Sequence, residues 1–271
     1  MLLWTFVMLF LTHVHASNDP PPAVGARAIS LGHAYTGITG DFWSLFHNPA
    51  GIAGIENPEA GVYFERRFGL KELTYGSAGF VTPFSGGTQF AGIELTTFGF
   101  DAYRENKVGL TYATRFFDKV SVGIKANYAN VNIRDYGNAS TFYVDLGLAT
   151  EITPELTLGF SAYNVNRSQL ETQSGKEPLP TVLTAGLAYQ PTDKILFVAD
   201  LQKDIDHPVS FRGGIEYAFA KGFYARLGTS TRPLTWAAGL GMEVQKIKFD
   251  FAFGFHERLG YSPHISLAYG F

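Results

Sequence analysis

His256, His264 and Ser266 carry the side-chain types that hydrolyse acyl bonds, and two adjoining strands would bring them near one another. Acyl transfer asks for more than neighbourhood: the serine needs a positioned base, the base an orienting carboxylate, and the oxyanion a set of donors. No carboxylate or oxyanion pocket completes this set, so no catalytic residue is assigned and the chain is not expected to be an enzyme. Asp204, Asp206 and His207 are spaced like cation ligands in a loop. A solvated turn accounts for the same residues, and neither metal nor cofactor is expected. The absence of cysteine excludes disulfides and thiolate metal sites.

The segment 23–57 carries a second set. In Asn48-Pro49-Ala50-Gly51 the asparagine offers donors and an acceptor while proline and glycine fix a sharp turn, which suits either a ligand gate or a structural corner. Arg27 would need a carboxylate such as Asp250 or Glu243, because an unpaired buried guanidinium is costly. Trp43 and Phe46 would either touch an apolar ligand or pack the segment against a wall. Arg27, Trp43, Phe46, Asn48 and Pro49 are therefore the gating candidates.

The wall is written in the remainder of the chain. Ile247, Phe249, Phe251, Phe253 and Phe255 alternate with Lys248, Asp250, Ala252, Gly254 and His256. Strand side chains point to opposite faces in turn, so this stretch has one greasy face and one polar or tiny one, as a strand between lipid and a lumen requires. Composition agrees: charged residues make up 17%, below the roughly 25% usual in soluble domains, while 24 Phe, 14 Tyr and 30 Gly suit aromatic girdles and crowded interiors. A net charge of -3 argues against nucleic acid.

From residue 59 onward such runs recur, separated by turn residues, and predict about fourteen strands: 60–68, 73–81, 88–98, 107–116, 119–131, 141–152, 156–166, 181–190, 194–203, 209–219, 222–229, 234–245, 247–257 and 263–271. Connections alternate short and long. The short ones (83–87, 117–118, 153–155, 191–193, 220–221 and near 246) are assigned to the periplasm, and the longer ones (99–106, 132–140, 167–180 and 258–262) to the outside. An even count returns both mature termini to the periplasmic side. A Lys or Arg at mid-bilayer costs about 2–4 kcal/mol, which orients each strand. Lys107, Lys125, Asp145, Asp200, Arg212, Glu216, Arg226, Glu243, Lys248 and Asp250 are accordingly assigned to the lumen. Ser77 and Gly79 interrupt the apolar face expected for the second strand and suggest a kink there. A barrel of this strand number is wider than its own side chains fill, so 17–57 is expected to plug it, with the barrel at 58–271. Residues 1–16, an apolar run ending Val14-His15-Ala16, predict a cleaved signal peptide, although no Lys or Arg precedes the run.

The stretch from Gly25-Ala26-Arg27 through Leu31-Gly32-His33-Ala34, with Asp41, Ser44 and Asn48-Pro49-Ala50-Gly51, resembles the N-terminus of PorV/PorQ-type outer-membrane proteins within the wider FadL-like barrel group. The resemblance implies a plugged fourteen-strand barrel in the outer membrane of a Gram-negative bacterium. It implies type IX secretion components as partners, in an accessory or docking role, beside the lipid itself. The alternative within the same group is a FadL-like channel for small hydrophobic molecules, and a third reading is envelope support alone. Ile265, Leu267, Tyr269 and the terminal Phe271 resemble the signal read by the barrel-assembly machinery. A pocket lined by Trp43, Phe46 and Phe80 would favour transport. A filled lumen with apolar loop tips would favour docking.

Overall fold

The computed structural model describes residues 23–172 and 175–271. The signal-peptide expectation for 1–16, the start of the plug segment at 17–22, and Gln173 of the polar outside loop fall outside the described residues. Fourteen antiparallel strands close on themselves. In chain order they are β1 (Glu59–Arg66), β2 (Thr74–Phe84), β3 (Gln89–Phe100), β4 (Tyr103–Phe116), β5 (Val120–Ile133), β6 (Gly137–Thr153), β7 (Leu156–Tyr163), β10 (Val182–Thr192), β11 (Ile195–Asp204), β12 (Ser210–Ala220), β13 (Phe223–Thr231), β14 (Leu234–Val244), β15 (Ile247–His256) and β16 (Gly260–Gly270). Strands β8 (Gln169–Thr172) and β9 (Gly175–Pro178) form a separate hairpin between β7 and β10. The ring closes where β1 pairs with β16, from Glu59 opposite Gly270 to Glu65 opposite His264.

Alternation sorts the two faces. Phe142, Leu146, Phe211, Ile215, Leu234, Trp236, Leu240, Phe249 and Phe253 stand exposed on the outside, while Tyr143, Asp145, Glu216, Asp250 and Ala252 are buried within. Large apolar side chains left exposed on every strand make sense only against hydrocarbon. The fold is an all-β transmembrane antiparallel barrel. No described helix is long and apolar enough to cross a membrane, so crossing falls to the strands.

Three sequence expectations change. Ser77 and Gly79 lie on the inner face of β2 beside buried Tyr75 and Val81, and the register from Tyr75 opposite Phe98 to Phe84 opposite Gln89 is unbroken. No kink occurs, because a small residue facing the lumen interrupts nothing. The loops assigned to 99–106 and 132–140 are mostly strand: β4 starts at Tyr103, and β5 and β6 meet in a turn of three residues, 134–136. The loop at 167–180 contains the β8–β9 hairpin, whose Leu170 is buried against Val131 and Ala139 with Tyr103, Ile133 and Leu179 around it. One apolar residue among polar neighbours is too faint a pattern to reveal a strand this short.

Residues 23–57 lie inside the ring. They form a five-residue helix α1 (Ala26–Ser30) and two 3₁₀ turns, Phe42–Phe46 and Pro49–Ile52. Asp41 caps the first turn by accepting from the Trp43 N–H at 2.9 Å, and Asn48 caps the second, with Pro49 at its first position where a missing N–H is harmless. The wall receives this insert through inward-facing glycines. Phe42 and Leu45 cover Gly61, Gly79 and Gly92; Asn48 to Ala50 cover Gly123 and Gly147; Thr36 covers Gly159 and Gly186; Leu31 and Gly32 cover Gly214 and Gly228. A methyl on Gly228 would stand 2.0 Å from the Gly32 nitrogen, and one on Gly159 would stand 1.9 Å from the Thr36 carbonyl oxygen. Backbone therefore rests on backbone at β5, β6, β7, β10, β12 and β13, while the side chains of Phe42 and Leu45 fill the approach to β1, β2 and β3.

Candidate functional site: the lumenal insert and its two cavities

Arg27, projecting from α1, is held by two carboxylates. Its Nε and Nη2 donate to both oxygens of Glu216 on β12 at 2.9 and 2.8 Å, and its Nη1 donates to Asp41 at 2.8 Å. Glu216 also accepts from Arg226 on β13, which reaches on to Asp250 on β15 at 2.6 Å. Tyr35 donates its hydroxyl to Asp41 at 2.6 Å. Two guanidiniums and three carboxylates thus form one chain from the insert to the wall. The bidentate fork at Glu216 is the strongest geometry available to such a pair. The partners expected for Arg27 are corrected: Asp250 serves Arg226, and Glu243 lies exposed at the lumen mouth, facing Lys248 across the β14–β15 pair. Lys248 pairs instead with Glu59 at 3.0 Å.

Asn48 is fully buried and serves as a corner. Its Nδ2 donates to the carbonyls of Thr36 at 2.8 Å and Leu148 at 3.2 Å, and its Oδ1 accepts from the Ala50 N–H at 3.1 Å. Every polar atom is committed, and Pro49 lies against Gly123. Trp43 packs edge-on to Phe42 and stacks on Phe46, so both rings belong to the insert's own core. Phe80 faces outward, so Trp43, Phe46 and Phe80, whose shared pocket would have favoured transport, do not line one cavity. Asp200 on β11 anchors the insert's middle, accepting from the Tyr35 and Thr36 amides at 3.1 Å each and from the Thr36 hydroxyl at 2.7 Å.

The remaining lumen charges gather on β3–β6. Lys107 and Lys125 flank Glu94 at 2.7 and 2.9 Å, and Asp145 accepts from Asn127 at 2.9 Å. Glu94 is fully buried and absent from the charges assigned by sequence, although Ile93 and Leu95 on either side point to its inward face. Asp41 and Tyr35 were equally hidden, since no periodicity governs an irregular segment.

The insert divides the lumen into two cavities. The one at the short-turn end, about 380 Å³, is walled by Arg27, Asp41, Glu216, Arg226, Lys248 and Asp250. The one at the loop-rich end measures about 640 Å³ and is lined by Tyr75, Phe98, Tyr103, Tyr143, Tyr163, Leu170 and Leu179, with Lys107, Arg212 and His33 at its polar edge. Ala23 lines this cavity, whereas Phe271 lies at the opposite rim, its N–H donating to the Pro58 carbonyl. Arg212 is unlike the other lumen arginines. Its Nη2 donates to Gln202 at 2.5 Å and its buried Nε has no hydrogen-bond partner, while Asp200, opposite it on β11, gives its Oδ2 to the insert and keeps an unpartnered Oδ1. Over the cavity, fully buried Asn164 ties down the hairpin. Its Nδ2 lies 3.1 Å from the Leu179 carbonyl, its Oδ1 accepts from the Ser168 N–H at 2.8 Å, and its own N–H donates to Asp145 at 3.0 Å.

The residues of hydrolytic type are used otherwise. His264 shares a 2.8 Å hydrogen bond with the Tyr63 hydroxyl, Ser266 accepts from the Ala26 N–H at 3.2 Å, and His256 meets the ring of Phe68. Asp204 accepts from the Asp206 N–H and pairs with His207, closing a turn. Among the described residues no group of three or more His, Asp or Glu is placed to hold a metal ion.

No protein-family model matches this chain, and no curated protein is similar to it in sequence. Solved structures are similar in shape. The CymD monoaromatic hydrocarbon channel superposes with a TM-score of 0.69 at 13% identity, covering 92% of this chain and 98% of its own. The Pseudomonas putida toluene transporter TodX gives 0.67 at 11%, covering 92% and 96%, and a Pseudomonas aeruginosa FadL homologue gives 0.66 at 12%, covering 93% and 99%. The chain has the FadL-type barrel fold. At such identities the likeness concerns architecture, and no side chain of the FadL-type structures is carried over to this lumen.

Proposed function

We propose that the protein is a non-enzymatic outer-membrane barrel that admits small, mainly apolar molecules from its loop-rich end, with the 640 Å³ cavity as their first station. The observation that carries this reading is the cavity itself: concave, of a size suited to a small ligand, and walled by the rings of Tyr75, Phe98, Tyr103, Tyr143 and Tyr163, with charged groups such as Glu65, Arg67, Glu105, Lys107 and Arg212 also on its lining. The names of the similar structures, a monoaromatic hydrocarbon channel and a toluene transporter, support the same class. Arg212 adds a preference. A buried guanidinium whose Nε donates to nothing favours a ligand bearing one anionic group, which would accept from it. The test is to titrate the detergent-solubilised protein with a fluorescent apolar acid and with its neutral methyl ester. Both should bind, the acid more tightly, and Arg212→Gln should remove only the difference. Failure of both ligands to bind would reject the channel.

An accessory role in type IX secretion rests on the resemblance of Gly25 to Gly51 alone, and no feature of the cavities adds to it. Recovery of a secretion component with the protein from gently solubilised membranes, together with absent ligand binding, would reverse the choice.

A further inference from the structure

The outer face of β4, β5 and β6 changes character abruptly towards the loop-rich end. Val108, Tyr128 and Phe142 form the last apolar cross-strand row. The next row is Asn106, Asn130 and Ser140, and the one after is Arg104, Asn132 and Asn138. On one side β3 keeps pace, with Thr97 opposite Asn106 and Gly99 opposite Arg104, whereas on the other β7 ends at Tyr163 and β10 begins at Val182, while β5 runs on to Ile133. The five steps from Tyr128 to Ile133 rise about 16 Å at the usual strand pitch. A plate of β3 to β6 therefore stands above the lipid-facing band and continues it without a break.

We propose that this plate binds the saccharide headgroup of a glycolipid in the surrounding leaflet. Asn106, Asn132 and Asn138 are exposed and make no side-chain hydrogen bond among the described residues. Each amide offers both donors and an acceptor, which is what a sugar hydroxyl, itself donor and acceptor, can use. Asn132 and Asn138 face each other across the β5–β6 pair at a strand spacing of about 4.8 Å, with Asn106 one row below on β4. Charge argues for sugar over phosphate, because Arg104 lies 3.6 Å from Asp101 and the exposed Arg134 is followed by exposed Asp135, leaving the patch near neutral. The plate is also stiff. Its inner side carries Val131 and Ala139 packed on Leu170, so the amides are presented on a backed sheet and little order is lost on binding. Continuity with the lipid-facing band selects a membrane glycolipid, since a headgroup anchored in that leaflet meets the plate directly above its last apolar row.

The inference depends on the outer-membrane placement and not on the channel. The test is native mass spectrometry of the full protein in detergent with three lipids: a lipooligosaccharide with a complete sugar core, lipid A without core sugars, and phosphatidylglycerol. The core-bearing glycolipid should be retained preferentially, and the triple variant Asn106→Ala/Asn132→Ala/Asn138→Ala should weaken its retention by about tenfold or more, as expected for losing several hydrogen-bonding side chains. Those side chains are exposed, so the melting temperature should be unchanged. Equal retention of all three lipids, or a triple variant that binds like the parent, would overturn the proposal. So would a protein partner captured on the plate in place of the glycolipid.

Discussion

Arg27 connects the insert to the wall through a single guanidinium, and its replacement isolates charges on both sides. Arg27→Met would leave Asp41 without a cation and Glu216 with Arg226 alone. Breaking a buried pair from one side typically costs about 3–5 kcal/mol, and solvent reaching the partly open Arg27 side chain reduces the effect. We expect a loss of about 2 kcal/mol, read as a lower midpoint of denaturant unfolding in detergent. His47 gives a second expectation. Its Nε2 lies 2.9 Å from the Val24 carbonyl, and burial pushes its pKa down to about 4. The unfolded chain, with histidine near 6.5, then binds more protons than the folded one as pH falls from 6.5 towards 4, and stability drops across that window. His47→Gln should flatten this part of a melting-temperature profile against pH; an unchanged profile would count against the assignment. At this scale the sequence disclosed that Arg27 must find a carboxylate and that Glu216 faces inward. It did not disclose which carboxylate, because the position of α1 around the ring is set by contacts with β13–β16 that no local pattern encodes.

Strands were the most legible elements, since alternation between lipid and lumen is imposed on each of them independently. Their ends were less so: polar rows such as Asn132 and Asn138 read as loop, yet they remain in register because sheet pairing does not require an apolar face. The β8–β9 hairpin was illegible because its hold on the barrel depends on Asn164, a residue that looks like any turn asparagine. It adopts φ 53°, a left-handed conformation asparagine tolerates better than most. Asn164→Ala would strain that backbone and leave the Leu179 carbonyl and the Ser168 N–H without their partner, at about 1–3 kcal/mol for unsatisfied buried groups. The loss should be local. Hydrogen exchange at 167–180 should quicken while exchange in the β5 and β6 amides below Asp145 stays slow; uniform acceleration across the barrel would show that the hairpin is not a separate unit.

At the scale of the whole molecule, fourteen strands enclose a lumen that the insert crosses at backbone distance. The insert's turns and helix pack against β1–β6 and β13–β16 between the two cavities and narrow the way along the axis. In planar bilayers the protein should show rare, small current steps, unlike an open pore of similar strand number; large, persistent conductance would contradict the packing described. Closure of the barrel could be read from the number of strands and their alternation between a lipid face and a lumen face. The separation of the lumen into a charged cavity and an aromatic one could not, because it depends on how an aperiodic stretch of chain lies across the ring.

The glycines facing the insert also constrain the order of events during biogenesis. A bung whose main chain abuts several staves with no room for a single methyl group is expected to be laid in place while the seam between Glu59–Arg66 and Gly260–Gly270 still gapes, the last stitch being sewn around it.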